Sequence, residues 1–198
     1  EQARADAELS NLRYQTNPHF LLNTLNNIYA LTAFDARRAQ EAIQQLSGML
    51  RHVLYDNLER EVSIDSEMAF LQNYVQLMKI RLPESVGITF DTTIENTEAK
   101  IAPLILIPLV ENAFKHGVSM TRPSFIHITL HTDDRSIDFL IENSNYQKAD
   151  NDRSGHGIGL EQLQRRLELS YPDHHTWQYG LKNGGTVYSS HITITLNP

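Results

Sequence analysis

An α+β fold, with a helical region followed by a sheet-bearing half, is what the sequence predicts, and three observations predict it. Apolar residues recur at helical spacing through about residue 82. From residue 86 the period changes to β-branched alternation. Turn-forming residues then separate neighbouring strands closely enough to make hairpins, so the sheet is at least partly antiparallel. The chain has 198 residues, which at about 150 residues per domain gives one to two domains and enough length to bury a core.

The first helix carries two registers. Leu9 and Leu12 lie on one face and Leu21, Leu25 and Ile28 on another, with Pro18 between them, and a kink at Pro18 reconciles the two. The second helix follows from Ala39, Ile43, Leu46, Leu50 and Val53, with Asp35 at the N-cap position. The third follows from Leu71, Tyr74, Val75, Met78 and Leu82, with a cap at Asp65 and a stop at Pro83. Strands are expected over Val86 to Thr93, Ile126 to Thr132, Ile137 to Asn143 and Ile192 to Leu196. Asp133 to Ser136 form one hairpin turn and Gly184-Gly185 another. Two helices lie between the strands. One starts with Pro103 at its first position and ends at Gly117; the other carries Leu160, Leu163 and Leu167 after a polar, lid-like stretch from Asn145 to Gly159.

Composition narrows the function classes. With 40% hydrophobic and 21% charged residues the chain reads as soluble and globular, and no apolar run approaches the roughly 18 residues of a membrane span. A net charge of -7 without a basic stripe disfavours direct nucleic-acid binding. The absence of cysteine excludes disulfides, thiolate metal sites and a cysteine nucleophile, and fits a cytoplasmic setting. Glu1 to Ser10 carry neither an initiator Met nor a signal-peptide core, as expected of a piece of a longer chain.

Three constellations could carry chemistry. In Gln15-Thr16-Asn17-Pro18-His19-Phe20-Leu21-Leu22-Asn23, His19 follows the proline and lies about 150° from the mean direction of Leu21, Leu25 and Ile28 at about 100° per residue. It is either an exposed nucleophilic imidazole or a surface or capping histidine. In Glu111-Asn112-Ala113-Phe114-Lys115-His116-Gly117, the residues Asn112, Lys115 and His116 share a helical face. A carbonyl oxygen, an ammonium and an aromatic ring there can hold a divalent ion, a phosphate and a base or sugar. The other reading is the polar side of an amphipathic helix, with Glu111 and Lys115 as an ion pair. In Ser154-Gly155-His156-Gly157-Ile158-Gly159-Leu160, three alternate glycines run into a helix N-terminus, an arrangement suited to phosphate though neither a Rossmann turn nor a Walker A loop. The pairs His127/His131 and His174-His175 lack a metal-ligand triad around them.

In this order, with Arg81 after a Tyr-containing helix, the motifs resemble LytS-type sensor histidine kinases from about Leu12 to Leu196. The resemblance implies a helical phosphoacceptor and dimerisation region, residues 1–61, followed by a GHKL (Bergerat-type) ATP-binding α/β sandwich with a mixed sheet, residues 62–198. It implies that His19 is the phosphoacceptor, that Asn112 binds Mg2+, and that Lys115 and His116 line the phosphates and the ribose or base of ATP. Gly155, Gly157 and Gly159 match the glycine box that closes over the phosphates. Two departures stand out. Asn143, in Glu142-Asn143-Ser144, occupies the place of an aspartate that accepts a hydrogen bond from adenine, and Asn145 falls where a glycine is common. Phe20 follows His19 where many histidine kinases carry an acid, leaving no adjacent general base, although a histidine's ordinary pKa near 6.5 keeps it mostly neutral at pH 7.

The implied protein is a homodimeric cytoplasmic kinase portion of a membrane sensor, which passes phosphate to an aspartate of a response regulator of LytTR type. Its membrane part would lie upstream. Two rivals stand beside it: a nucleotide-sensing pseudokinase, motivated by Asn143 and the missing acid, and a GHKL ATPase, which has no use for the Asn-Pro-His-Phe segment.

Overall fold

The computed structural model describes residues 18–55, 59–80, 82–146 and 158–196. Two helices, α1 (Pro18–Thr32) and α2 (Ala36–Tyr55), form a hairpin. Then follow β1 (Val62–Ser63), α3 (Ile64–Lys79), β2 (Val86–Ile94), β3 (Lys100–Ile101), α4 (Ile107–His116), β4 (Ser124–Thr132), β5 (Ser136–Ser144), α5 (Ile158–Ser170), β6 (His175–Lys182) and β7 (Val187–Thr195). The main sheet has the order β2-β4-β5-β7-β6, with β2 and β4 parallel and the other neighbours antiparallel. It is the mixed sheet that the resemblance implies, and partly antiparallel as the turns predict. β1 and β3 form a separate two-stranded antiparallel ladder.

Alternation along the central strands builds the core. Ile126, Ile128 and Leu130 of β4, Ile137, Phe139 and Ile141 of β5, and Ile192 and Ile194 of β7 point to one face and are buried. Leu71 and Val75 of α3, Leu109 and Val110 of α4, and Leu163 and Leu167 of α5 belong to the same core cluster. The opposite face is polar. There Asp138 Oδ1 accepts from Thr193 Oγ1 at 2.6 Å and lies 3.2 Å from His191 Nε2, while Ser136 Oγ donates to Asp138 Oδ2 at 2.8 Å. Burial pushes the Asp138 carboxyl up, but these hydrogen bonds outweigh it and hold its pKa below the ordinary value.

Local chemistry fixes several boundaries, and some differ from the sequence expectation. Asp35 caps α2, its Oδ1 accepting from Arg38 N at 3.0 Å. For α3 the cap is Ser63, whose side chain accepts from Ser66 N, while the anticipated cap Asp65 lies in the first turn. That helix ends at Ile80, before Pro83. Helix α4 starts at Ile107, not at Pro103, and the proline in its first turn is Pro108. Pro103 belongs to a turn in which Leu104 has φ 56°, a left-handed conformation that costs a non-glycine residue about 1–2 kcal/mol. Asp133 Oδ1 accepts from Arg135 N and Ser136 N, which closes the β4–β5 turn. Strand β6 was anticipated only through its hairpin turn, which runs through left-handed Asn183, Gly184 and Gly185.

In the hairpin the apolar stripes are rotated. α2 buries Ala39, Ala42, Leu46 and Met49, whereas Ile43 is 50% exposed. α1 buries Thr24 and Ile28 and leaves Leu25 47% exposed. Gly48 lets α3 come close to α2, for a β-carbon there would lie 3.1 Å from the Asn73 side-chain nitrogen. The proposed kink at Pro18 and the register of Leu9 and Leu12 involve residues outside those described. Val53 lies in α2, its side chain outside the described set.

Candidate functional site

The site is built around α4 and the end of β5. Helix α4 buries Leu109, Val110, Ala113 and Phe114 against the sheet and the neighbouring helices, which turns Glu111, Asn112 and His116 to half-buried positions and Lys115 to solvent. Tyr74 of α3 meets the Phe114 ring edge-on, with centroids 5.9 Å apart. Asn112, Lys115 and His116 therefore share the less buried side of the helix, as their spacing predicts.

Gly117 holds the helix end against β5. It is expected as a left-handed C-terminal residue, but its φ is -90° and its N–H donates to Ala113 O at 2.7 Å. Space is what the position requires. A β-carbon there would stand 2.6 Å from the Asn143 Cβ and Nδ2 and from Ala113 O. The close approach of Asn143 to the end of α4 thus depends on glycine.

Asn143 is 2% exposed. Its Nδ2 donates to Ser144 O at 2.8 Å, and because a carbonyl only accepts, this bond fixes the amide orientation. Oδ1 is left buried with no hydrogen-bond partner among the described residues. A buried acceptor without a partner costs about 1–3 kcal/mol, and a ligand that donates an N–H removes the cost. The side chain that substitutes for an acidic adenine acceptor thus carries a buried oxygen with no partner among the described residues, as Gln45 Oε1 does elsewhere.

The chain beyond Asn143 is pinned on both sides. Asn145 N donates to Thr186 O at 2.7 Å and its Nδ2 to Gly185 O at 2.8 Å, so a side chain does work where a glycine is often found. Tyr146 OH donates to Pro123 O, and the Arg122 guanidinium sits 4.6 Å over the Tyr146 ring. Helix α5, which touches α4, carries Gly159 in its first turn, where a β-carbon would meet nothing within 4 Å. Gly155 and Gly157, with most of the Asn145 to Gly159 stretch, lie outside the described residues, as does Arg81. His19 stands in the first turn of α1, its side chain outside the described set, so its direction relative to Leu21 is not defined.

Burial raises the Glu111 pKa. This carboxyl, read from sequence as an ion-pair member, sits beside Asn112 on the helix that forms the site, and only its burial distinguishes it. Among the remaining histidines, His131 Nε2 lies 3.5 Å from Glu95 Oε1, His127 stacks on Phe125 at 4.5 Å, and His175 Nδ1 lies 2.8 Å from Tyr171 O. Among the described residues no cluster of three or more His, Asp or Glu is placed to hold a metal ion. No helix among them is long and apolar enough to cross a membrane.

Comparison with known proteins bears on the family and the fold. The histidine kinase family model matches residues 7–86. The sensor protein LytS of Oceanobacillus iheyensis is 30% identical over 176 residues, 82% of this chain and 30% of that protein. LytS of Streptococcus mutans is 31% identical over 177 residues, 83% of this chain and 30% of that protein. The sensor protein kinase HptS of Staphylococcus aureus is 34% identical over 117 residues, covering 59% and 22% respectively. The chain thus spans 30% of the length of the LytS relatives. Two solved structures share the fold: the histidine kinase AdeS of Acinetobacter baumannii, with TM-score 0.50 at 16% identity over 93% of this chain and 97% of that one; and the histidine kinase domain of the blue-light activated kinase EL346 of Erythrobacter litoralis, with TM-score 0.52 at 12% identity over 97% and 95%. On its motifs, its sequence relatives and its α+β architecture, the chain belongs to the LytS-type histidine kinases.

Proposed function

We propose that this chain is the phosphoacceptor and ATP-binding part of a two-component sensor histidine kinase, divided into a phosphoacceptor and dimerisation region, residues 1–61, and a catalytic domain, residues 62–198. The observation that carries the reading is the buried Asn143 Oδ1 beside Gly117, without a hydrogen-bond partner among the described residues. It suits the exocyclic amine of adenine, and the residues present therefore fit ATP. Asn112 would hold Mg2+ through its side-chain oxygen, Lys115 and His116 would face phosphate and ribose or base, and Gly155, Gly157 and Gly159 would close over the phosphates. Bound Mg2+ supplies positive charge that offsets the charge of the transferring phosphoryl group.

The reaction is transfer of the γ-phosphoryl group of ATP to His19. A ring nitrogen forms the N–P bond as the bond to the β,γ-bridging oxygen breaks, its electron pair leaves with ADP, and the imidazole proton passes to solvent. A carboxylate of a response regulator, for which a LytTR type is proposed, then takes the phosphoryl group from His19 as an acyl phosphate. The chain acts as a homodimer, which the exposed Tyr29 (81%), Phe34 (90%), Leu25 and Ile43 of the hairpin support. We place it on the cytoplasmic side of a membrane sensor whose spanning part belongs to sequence beyond this chain.

The test is incubation with Mg-ATP labelled on the γ-phosphate, beside His19→Gln. Acid-labile, base-stable label on the wild type alone is the expected result. Label that persists in His19→Gln overturns the acceptor assignment. Bound nucleotide without label, on the full-length protein as well, overturns kinase activity in favour of a nucleotide-sensing module.

A further inference from the structure

The turn before α4 is held by charged side chains from two other helices. Glu67 of α3 is fully buried, and its Oε2 accepts from Leu104 N at 2.8 Å and its Oε1 from Leu106 N at 3.4 Å. Arg166 of α5 is 6% exposed, and donates through Nη1 to Leu104 O at 2.8 Å and through Nη2 to Pro103 O at 2.6 Å. One left-handed residue, Leu104, is thus gripped at its N–H by a carboxylate and at its C=O by a guanidinium. Tyr171, just past α5, takes a further bond from Ala102 N.

Packing alone does not call for this arrangement. Burying a carboxylate and a guanidinium is expensive, and apolar residues of similar volume commonly stabilise a fold as well or better. What the charges add is geometry. A guanidinium fork reaches two successive carbonyls in a fixed plane, and a carboxylate reaches two N–H groups. Together they set the direction in which the chain enters α4, and with it the places of Asn112, Lys115 and His116. Residues held in sparsely populated backbone regions persist where surrounding contacts over-determine them, and such residues cluster near functional sites.

We propose that Glu67 and Arg166 are positioning residues for the nucleotide site, acting through the clamped Leu104 turn on the orientation of α4. The proposal rests on the ATP-binding reading above. It also gives the clamp a second consequence: α3 packs on the hairpin helix α2, and α5 begins beside the glycine motif, so both are tied to one turn.

The experiment compares the intact chain with Glu67→Gln, Arg166→Lys and Arg166→Met. Leu163→Ala, fully buried on the same α5, serves as a control that loses packing and no hydrogen bond. Three quantities are read: the thermal midpoint, the Mg-ADP dissociation constant by calorimetry well below that midpoint, and the hydrogen-exchange rates of the amides from Leu109 to His116. Glu67→Gln and Arg166→Met are expected to weaken Mg-ADP binding tenfold or more and to speed α4 exchange beyond the control at matched stability, with Arg166→Lys between them and the wild type. Folded clamp variants that bind Mg-ADP like the wild type and exchange like Leu163→Ala overturn the proposal. If the wild type itself binds no Mg-ADP, the ATP-binding reading fails. The clamp's hold on α4 is then decided by exchange alone: faster α4 exchange than in the control upholds that hold while its role toward a nucleotide falls, and equal exchange overturns both. Should Arg166→Met fail to fold, Arg166→Lys and Glu67→Gln carry the comparison.

Discussion

The helical hairpin and the sandwich bury their apolar residues to different degrees. Phe139, Ile128 and Leu130 at the centre of the sheet are fully buried, while the hairpin leaves Tyr29, Phe34, Leu25 and Ile43 at the surface. Both regions share one core cluster and the sandwich also exposes Met120, Tyr179 and Leu181, but the hairpin gathers four exposed apolar residues on two helices and their connection. The lesson is a division of labour: the candidate nucleotide site sits on elements that are over-determined by packing, and the candidate acceptor His19 sits on a hairpin whose exposed apolar residues support the proposed dimer.

The largest effect should come from the sandwich. Phe139→Ala is expected to cost about 3–5 kcal/mol of unfolding free energy, read by denaturant titration, whereas Tyr29→Ala should change the stability of the isolated chain by about 0.5 kcal/mol or less. Equal losses would break the contrast. A charge pair on the hairpin sharpens it: Tyr29→Glu with Ile43→Glu should shift the chain toward monomer by at least tenfold in dissociation constant, measured by sedimentation, with the sheet unaffected. An unchanged association would remove the exposed face as the dimer surface. Gly117→Ala should cost about 1–3 kcal/mol through overpacking against Asn143 and weaken nucleotide binding at the same time; a neutral result would show that Asn143 can move aside freely. The smallest expected effect is that of Glu111→Gln. Since burial raises the Glu111 pKa from its ordinary 4.5, the native state holds this proton more tightly than the unfolded chain. Its contribution is therefore fully present below the unfolded pKa and is lost as pH rises through the folded one. The variant should accordingly gain on the wild type from mildly acid to neutral pH, seen in thermal midpoints across that range. A constant difference would place the Glu111 effect elsewhere.

The same contrast governs what could be read from sequence. Along the central strands and helix faces of the sandwich the buried apolar positions answer to a period of two or to a helical face, so Ile126 to Leu130 and Leu163 with Leu167 are legible, as is the shared face of Asn112, Lys115 and His116. On the hairpin, Ile43 and Leu25 look like core residues because their spacing is right, yet small side chains, Ala42 and Thr24, face inward, since close helix packing selects size as well as polarity. Features set by tertiary approach were not legible. Gly117 ends the helix as the sequence predicts, but what the position needs is room for Asn143, and Pro103 suits a helix start, whereas a turn held by distant Glu67 and Arg166 has no local signature. Strand β6 carries its own alternation in Trp177, Tyr179 and Leu181, a signal that marks this edge strand although the sequence expectation reaches it only through its hairpin turn. Asn143 was identified by position, but its unpartnered oxygen could be found only in three dimensions.

That oxygen supports the most direct test. Calorimetric titration of Mg-ATP into the intact chain and into Asn143→Leu and Asn143→Asp asks whether the buried acceptor holds the base. The account predicts binding to the wild type, retention in Asn143→Asp, and affinity about tenfold weaker in Asn143→Leu, as loss of a buried hydrogen-bond acceptor worth about 1.4 kcal/mol implies. Wild-type affinity in a folded Asn143→Leu, or no binding to the wild type, would contradict it.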